Sequence, residues 1–284
     1  MTGSAPEPQE HWRHEHGEVR NLGGRTVVVR SRPGEGAPVV LIAGCGLASD
    51  FWRDVVEHCQ RDEWLVTYDR PGIGGTPWPG HLPRLDDERR TLVDLLESLG
   101  RPAVLVGHSM ASFIVEAVTR TRPDLVAGVV MVDGSVEWPV APPRHLTPRL
   151  AALVGRATGS SAMGLVGSFA WHLGTWFQST HDFRALHGGR LSDVYADADT
   201  LAAATAESMA YERQAWDLIE LRRAHAWPSR PVAVLSAADN RWLATQRRWA
   251  NMLGASHRVV AGSKHLMMLD RPDVIVEAIG EVRR

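Results

Sequence analysis

The sequence predicts an α/β protein: a mostly parallel central sheet with helices on both faces, and a helical cap inserted between two of the sheet strands. Three observations lead there. Short apolar runs alternate with amphipathic helical patterns over 17–135, the alternation stops across 136–228, and it resumes over 229–284. Strands that alternate with helices pair in parallel, and the helices then cover the sheet on both sides. A chain of 284 residues, 44% of them hydrophobic, suits one large core with an insertion better than two independent domains.

Each element has its own signal. Residues 1–16 begin with a Pro-, Gly-, Ser- and Glu-rich stretch that buries too little apolar surface to offset its ordering entropy, so a mobile tail is expected. "GEVRNLGGRTVVVRS" reads as two strands turned at Gly23–Gly24. "PVVLIAG" at 38–44 is an unbroken apolar run, the pattern of a strand buried on both faces. Asp50 is placed to cap a helix running to about Gln60, and "EWLVTYD" returns as a strand. "DDERRTLVDLLESLG" starts with acids, spaces Leu92, Leu95, Leu96 and Leu99 on one face, and stops at Gly100. "AVLVG" at 103–107, a helix over about 110–122 and "LVAGVVMVD" at 125–133 continue the alternation. Helical stretches fill the insertion, including "LAALVGRATGSSAMGLVGSFAWHLGTWF" and "DTLAAATAESMAYERQAWDLIELRRAHAW". Then come a strand at 230–239, a helix near 242–253, a strand at 256–262 and a last helix near 272–282.

Composition narrows the function. A net charge of −2 with both signs interspersed offers no footprint for nucleic acid or an anionic membrane, so a neutral or apolar small molecule is the expected partner. Two cysteines, Cys45 and Cys59, are too few for a disulfide framework, and no run resembles a signal-peptide core or a membrane span; a cytoplasmic setting is expected. His11, His14 and His16 stand close together without a cysteine or acid at ligand spacing, so no metal or cofactor is expected. Nothing bears on oligomeric state.

In a parallel sheet the loops at the carboxyl ends of the strands meet on one edge, where ligands bind. Four such loops, 43–49, 107–111, 236–242 and 261–267, hold the chemistry-bearing residues. Ser109 in "GHSMA" follows a strand and opens a helix, with small Gly107 and Ala111 two positions away on either side. A sharp strand-to-helix turn needs small residues there. The helix N-terminus favours negative charge developing on the serine, although a serine at that corner also suits a simple N-cap.

The segment "GHSMA" resembles the nucleophile elbow G-x-S-x-G of the α/β-hydrolase family, with Ala111 in the place of the last glycine. "YDRPGIGGTPWP" resembles that family's D-x-x-G-x-G-x-S turn, with Thr76 at the serine position and Asp69, Arg70 and Gly72 in structural roles. The resemblance covers about 17–135 and 229–283 and implies a serine hydrolase of the carboxylic-ester type. It makes Ser109 the nucleophile and His265, in "VVAGSKHLMMLDRPD", the base. Asp239, ending "PVAVLSAAD", is the favoured acid, Asp133 in "VVMVDGS" the alternative, and Asn240 a competitor for the acid's place. Backbone N–H groups of Cys45 and Met110 would form the oxyanion hole; a nucleophilic Cys45 is the lesser alternative. The other histidines, His108 among them, are assigned surface or cap roles.

Eleven tryptophans against five phenylalanines, with Trp138, Trp171, Trp176, Trp216 and Trp227 in or beside the insertion, favour an apolar or aromatic substrate over a sugar or a highly charged one, although packing of the cap accounts for any single one of them. A serine at 109 argues against dehalogenase or epoxide-hydrolase chemistry. Hydrolysis of an ester, lactone or related acyl compound is the expected activity; carbon–carbon bond hydrolysis, perhydrolysis and an inactive ligand-binding module are the alternatives.

Overall fold

The computed structural model describes residues 17–136, 173–181 and 190–283. Among the described residues eight strands form one sheet: β1 (Glu18–Leu22), β2 (Arg25–Arg32), β3 (Glu35–Ile42), β4 (Glu63–Asp69), β5 (Ala103–His108), β6 (Val126–Val132), β7 (Val232–Ala237) and β8 (Ser256–Val260). Their spatial order is β1-β2-β4-β3-β5-β6-β7-β8. β2 runs antiparallel to both β1 and β4, and every other neighbouring pair is parallel. The β1–β2 hairpin turns at Gly23–Gly24, both at positive φ, where a side chain would be strained.

The apolar runs lack alternation because both faces of the sheet are covered. In β3, Val40 and Ile42 enter one core layer while Val39 and Leu41 enter the other; in β5, Leu105 faces the first and Val104 and Val106 the second. The first layer is closed by α2 (Leu85–Leu99) and α3 (Ala111–Thr121), whose Leu92, Leu95, Leu96, Ile114 and Val118 join it. The second is closed by α1 (Arg53–His58) and the C-terminal helix (Pro272–Val282), through Val55, Val56, Ile275 and Ile279. At about 1.5–3 kcal/mol for each fully buried aliphatic side chain, these two layers are the main support of the sheet edge that carries the site.

The helix expected from Asp50 begins later. Ser49–Trp52 form a 3₁₀ turn, α1 starts at Arg53, and neither N-terminus has a side-chain cap. Tertiary contacts override the capping signal: Phe51 and Trp52 are buried, and the Ser49 N–H donates to Asp69 Oδ1 at 2.6 Å, drawing the turn against the sheet.

Between β6 and β7 the described residues contain helix and no strand. Helices span Arg190–Ala196 and Ala198–Ala224, the second capped by Asp197, whose side chain accepts from the Thr200 N–H. The tail at 1–16 and residues 150–172 of the helical stretch read over 150–177 lie outside the described residues, while 173–177 are helical.

Candidate active site

Ser109 directly follows β5 and sits at φ 52°, an uncommon conformation for a residue with a side chain. The turn lifts the hydroxyl off the sheet before α3 begins. Its tightness is measurable: a Cβ on Gly107 would lie 2.8 Å from Val115 Cγ2 and 3.3 Å from the Ala111 backbone. Ala111 itself is accommodated there, fully buried, which accounts for one methyl group being tolerated where the family motif has glycine.

His265 Nε2 lies 2.9 Å from Ser109 Oγ, and His265 Nδ1 lies 2.6 Å from Asp133 Oδ2. A carboxylate only accepts, so Nδ1 carries the proton facing Asp133 and Nε2 is left to accept the serine O–H. Ser109, His265 and Asp133 thus form one connected chain across loops widely separated in sequence. Asp133 is 3% exposed, and its Oδ1 accepts the Ala237 N–H at 3.0 Å, Asn240 Nδ2 at 2.7 Å and Gln246 Nε2 at 3.4 Å. Burial alone would raise this carboxyl; the hydrogen bond and charge of His265, with the donors from Ala237 and Asn240, outweigh it and hold the pKa below the ordinary carboxylate value.

The expected acid, Asp239, is not the partner of His265. It stands exposed at the mouth of the cavity, two residues past the end of β7, and among the described residues it makes no hydrogen bond. The turn after β7, closed by the Asn240 N–H on the Ala237 carbonyl at 3.1 Å, aims Asn240 inward as a donor to Asp133. Asn240 therefore holds Asp133 in place from the turn after β7 and does not itself meet His265. Spacing along the chain does not separate the two, because Asp133 and Asp239 each follow a buried, mainly apolar strand.

The loop after β3 packs directly on the elbow. A Cβ on Gly44 would lie 2.9 Å from Ser109 Cβ and 2.7 Å from His108 Nδ1. Among the described residues, the backbone N–H groups of Cys45 and Met110 have no acceptor. Burial, with the nearby charge of Glu207, pushes the Cys45 thiol up to about 12, which leaves it protonated and unsuited to attack at neutral pH.

Sequence reading missed His108. It is fully buried, its ring centroid is 4.7 Å from that of His265, and its Nε2 lies 2.9 Å from the His265 carbonyl oxygen. A carbonyl accepts, so Nε2 donates. Burial, then the neighbouring His265, lowers the His108 pKa to about 3, so the ring is neutral and braces the loop that carries His265. The same loop is tied from outside by the Leu266 N–H on the Gln178 carbonyl at 2.8 Å. Asp69 and Arg70 hold loops, as expected: Asp69 takes Arg30 Nη1 at 2.5 Å, and Arg70 donates to the Ala43 and Gly44 carbonyls at 2.6 Å each.

A cavity of about 570 Å³ opens over Ser109 and His265. Its wall mixes aromatic Phe177, Tyr211 and Trp242 with polar Gln178, Arg241 and Lys264. Of the tryptophans singled out in the sequence, Trp176, Trp216 and Trp227 are not part of the described wall, and Trp138 and Trp171 lie outside the described residues. Among the described residues no group of His, Cys, Asp and Glu could hold a metal ion, and no helix is long and apolar enough to cross a membrane; His11, His14 and His16 lie outside the described residues.

The chain belongs to the alpha/beta hydrolase family, whose model matches residues 39–278. It is 33% identical over 102 residues to an (E)-2-((N-methylformamido)methylene)succinate hydrolase of Acinetobacter baylyi, covering 36% of this chain and 39% of that protein. It is 25% identical over 190 residues to a (lyso)-N-acylphosphatidylethanolamine lipase of Homo sapiens, covering 62% of this chain and 53% of that one. The chain thus aligns with only two-fifths to a half of the length of these relatives. An alpha/beta hydrolase fold protein from Burkholderia ambifaria superposes with a TM-score of 0.70 at 20% identity, over 93% of this chain and 99% of that one, a likeness of fold.

Proposed function

We propose that the protein is a serine hydrolase that cleaves a carboxylic ester, lactone or related acyl bond through an acyl-Ser109 intermediate. The observation that carries this reading is the continuous chain from Ser109 Oγ through His265 to Asp133 at 2.9 and 2.6 Å. His265 Nε2 takes the Ser109 proton as Oγ adds to the acyl carbon. The carbonyl electron pair moves onto oxygen, held by the N–H groups of Cys45 and Met110. Collapse expels the alcohol, which takes the proton from His265. Water, deprotonated by the same nitrogen, then releases the acid. Asp133 keeps the imidazole in the working tautomer and balances its transient charge.

The relatives' names, a hydrolase and a lipase, agree with this class. Phe177, Tyr211 and Trp242 suit the small apolar or aromatic substrate expected from the sequence, while Arg241 and Lys264 add a polar side to its seat. We read 136–228 as a cap over the core formed by 17–135 and 229–284. Carbon–carbon bond hydrolysis and perhydrolysis would use the same three residues and are separated by substrate alone.

The test is labelling by a fluorophosphonate probe together with turnover of p-nitrophenyl butyrate. The parent protein is expected to be labelled at Ser109 and to hydrolyse the ester; Ser109→Ala is expected to lose both while keeping its melting temperature. Undiminished turnover by folded Ser109→Ala would remove the reading, and absence of labelling despite tight small-molecule binding would favour a binding module.

A further inference from the structure

The oxyanion loop is held by more than the core. Along 45–48, the Gly46 N–H donates to Glu207 Oε2 at 2.6 Å, the Leu47 N–H to the Gly44 carbonyl at 3.1 Å, and the Ala48 N–H to the Tyr195 hydroxyl oxygen at 2.8 Å. That hydroxyl donates in turn to the Gly46 carbonyl at 2.8 Å. On the other side of Cys45, Arg70 holds the Ala43 and Gly44 carbonyls. Arg70 closes the circuit on Glu207, with Nε–Oε1 at 2.6 Å and Nη2–Oε2 at 2.8 Å. Arg70, Glu207 and Tyr195 are each no more than 3% exposed. The peptides on both sides of Cys45 are therefore fixed by buried, charge-assisted or bridging bonds, and its own N–H is the donor of this run left for a ligand among the described residues.

Glu207 and Tyr195 do not belong to the sheet core. They stand on the helices Ala198–Ala224 and Arg190–Ala196, which follow β6 and precede β7. A carboxylate so close to a developing oxyanion would oppose it, and the bidentate pairing with Arg70 neutralises that charge while fixing the loop. Removing the pairing thus has two opposed consequences for the reaction. Loss of position slows it, and loss of negative charge beside the oxyanion speeds it.

We infer that Glu207 and Tyr195, acting with Arg70, are positioning residues that aim the Cys45 N–H at the oxyanion, so that the inserted helices complete the hole. This rests on the proposed acyl-serine reaction. A misplacement of about 1 Å in a reacting geometry costs on the order of 10²-fold in rate. Glu207→Ala, which frees both the Gly46 peptide and Arg70, is expected to lower kcat by about that factor with KM little changed. Glu207→Gln retains an acceptor for the Gly46 N–H and is expected to fall between Ala and the parent. Tyr195→Phe, which deletes only the bridging hydroxyl, is expected to lose about tenfold, within the range that small displacements produce.

The discriminating readout is the affinity for an alkyl trifluoromethyl ketone, to which Ser109 Oγ adds with transfer of its proton to His265, leaving a hemiketal oxyanion in the hole. Its Kd is expected to rise in step with the fall in kcat/KM, while affinity for the free acid product stays constant. A residue with a merely structural role would lower the melting temperature and leave both ratios alone when rates are normalised to folded protein. Folded Glu207→Ala and Tyr195→Phe with kcat and ketone affinity within about twofold of the parent would overturn the inference, given the far larger effect expected of a displaced donor. Should Glu207→Ala not fold, Tyr195→Phe decides. Because Ser109→Ala tests the reaction itself, an inactive Ser109→Ala beside unaffected Glu207 and Tyr195 variants would sink the clamp alone.

Discussion

The identity of the acid on His265 has a consequence that one atom can test. In Asp133→Asn the side chain keeps its shape but has one acceptor oxygen and one NH₂ group. Ala237, Asn240 and Gln246 all point donors at the Oδ1 position, so the amide oxygen is held there and the NH₂ faces His265 Nδ1, 2.6 Å from the former Oδ2. Nδ1 must then accept, the proton moves to Nε2, and Nε2 no longer takes the proton of Ser109. The reverse flip would set the NH₂ against three donors. Enforcing the wrong tautomer in such a triad lowers kcat by about 10⁴-fold, or about 5.5 kcal/mol at 1.36 kcal/mol per decade. Asp239→Asn, at an exposed site with no bond to His265, is expected to stay within about threefold, the range of a surface change worth roughly 0.5 kcal/mol. Initial rates on p-nitrophenyl butyrate, compared with the parent protein at one fixed pH, would read both. Asp133→Asn retaining a tenth or more of the parent rate, or Asp239→Asn collapsing, would refute the assignment.

Two further outcomes follow from the same geometry. Gly44→Ala places a Cβ within 2.9 Å of Ser109 Cβ and 2.7 Å of His108 Nδ1, both on the rigid elbow; the loop must shift, and kcat is expected to fall by about 10²-fold with little change in KM, whereas parent-like kinetics would show that the loop does not set the oxyanion donor. Burial, then the charge of Glu63, pushes the Cys59 thiol up to about 12, while an unfolded thiol ionises near 8.5. A raised folded pKa means that the unfolded state sheds its proton first, so stability is full below about pH 8.5 and declines above it by about 1.4 kcal/mol per pH unit for this group. Urea midpoints at pH 8, 9 and 10 should show a shallower decline in Cys59→Ala, and an unchanged slope would contradict the shift.

Much of the site was legible because its signals are local. The elbow announces itself by small residues around Ser109, since close contact with Val115 and Ala111 is decided within a few residues of chain. His265 was legible through the family resemblance, which puts a histidine after the last strand, and it does meet Ser109. The acid was not, because two aspartates follow adjacent strands and both fit the pattern; only the inward turn of Asn240 and the donor set on Asp133 Oδ1 separate them. His108 escaped notice because one histidine beside a serine carries no sign of whether it faces solvent or a second imidazole. The clamp from Glu207 and Tyr195 was beyond reach for a similar reason, as those residues sit on helices whose own pattern speaks only of packing.

The sequence by itself determined the order of strands and helices, the two-sided burial of the sheet and the serine at the corner, because periodicity and steric size act over a handful of neighbouring residues. Only the tertiary structure decided which carboxylate reaches the imidazole and what fixes the loop around Cys45. Those are contacts between segments more than a hundred residues apart, with separations of 132 residues for Asp133 and His265 and 137 for Arg70 and Glu207. A hydrogen bond depends on tenths of an ångström and on direction, and spacing along the chain encodes neither until the sheet has brought its loops together.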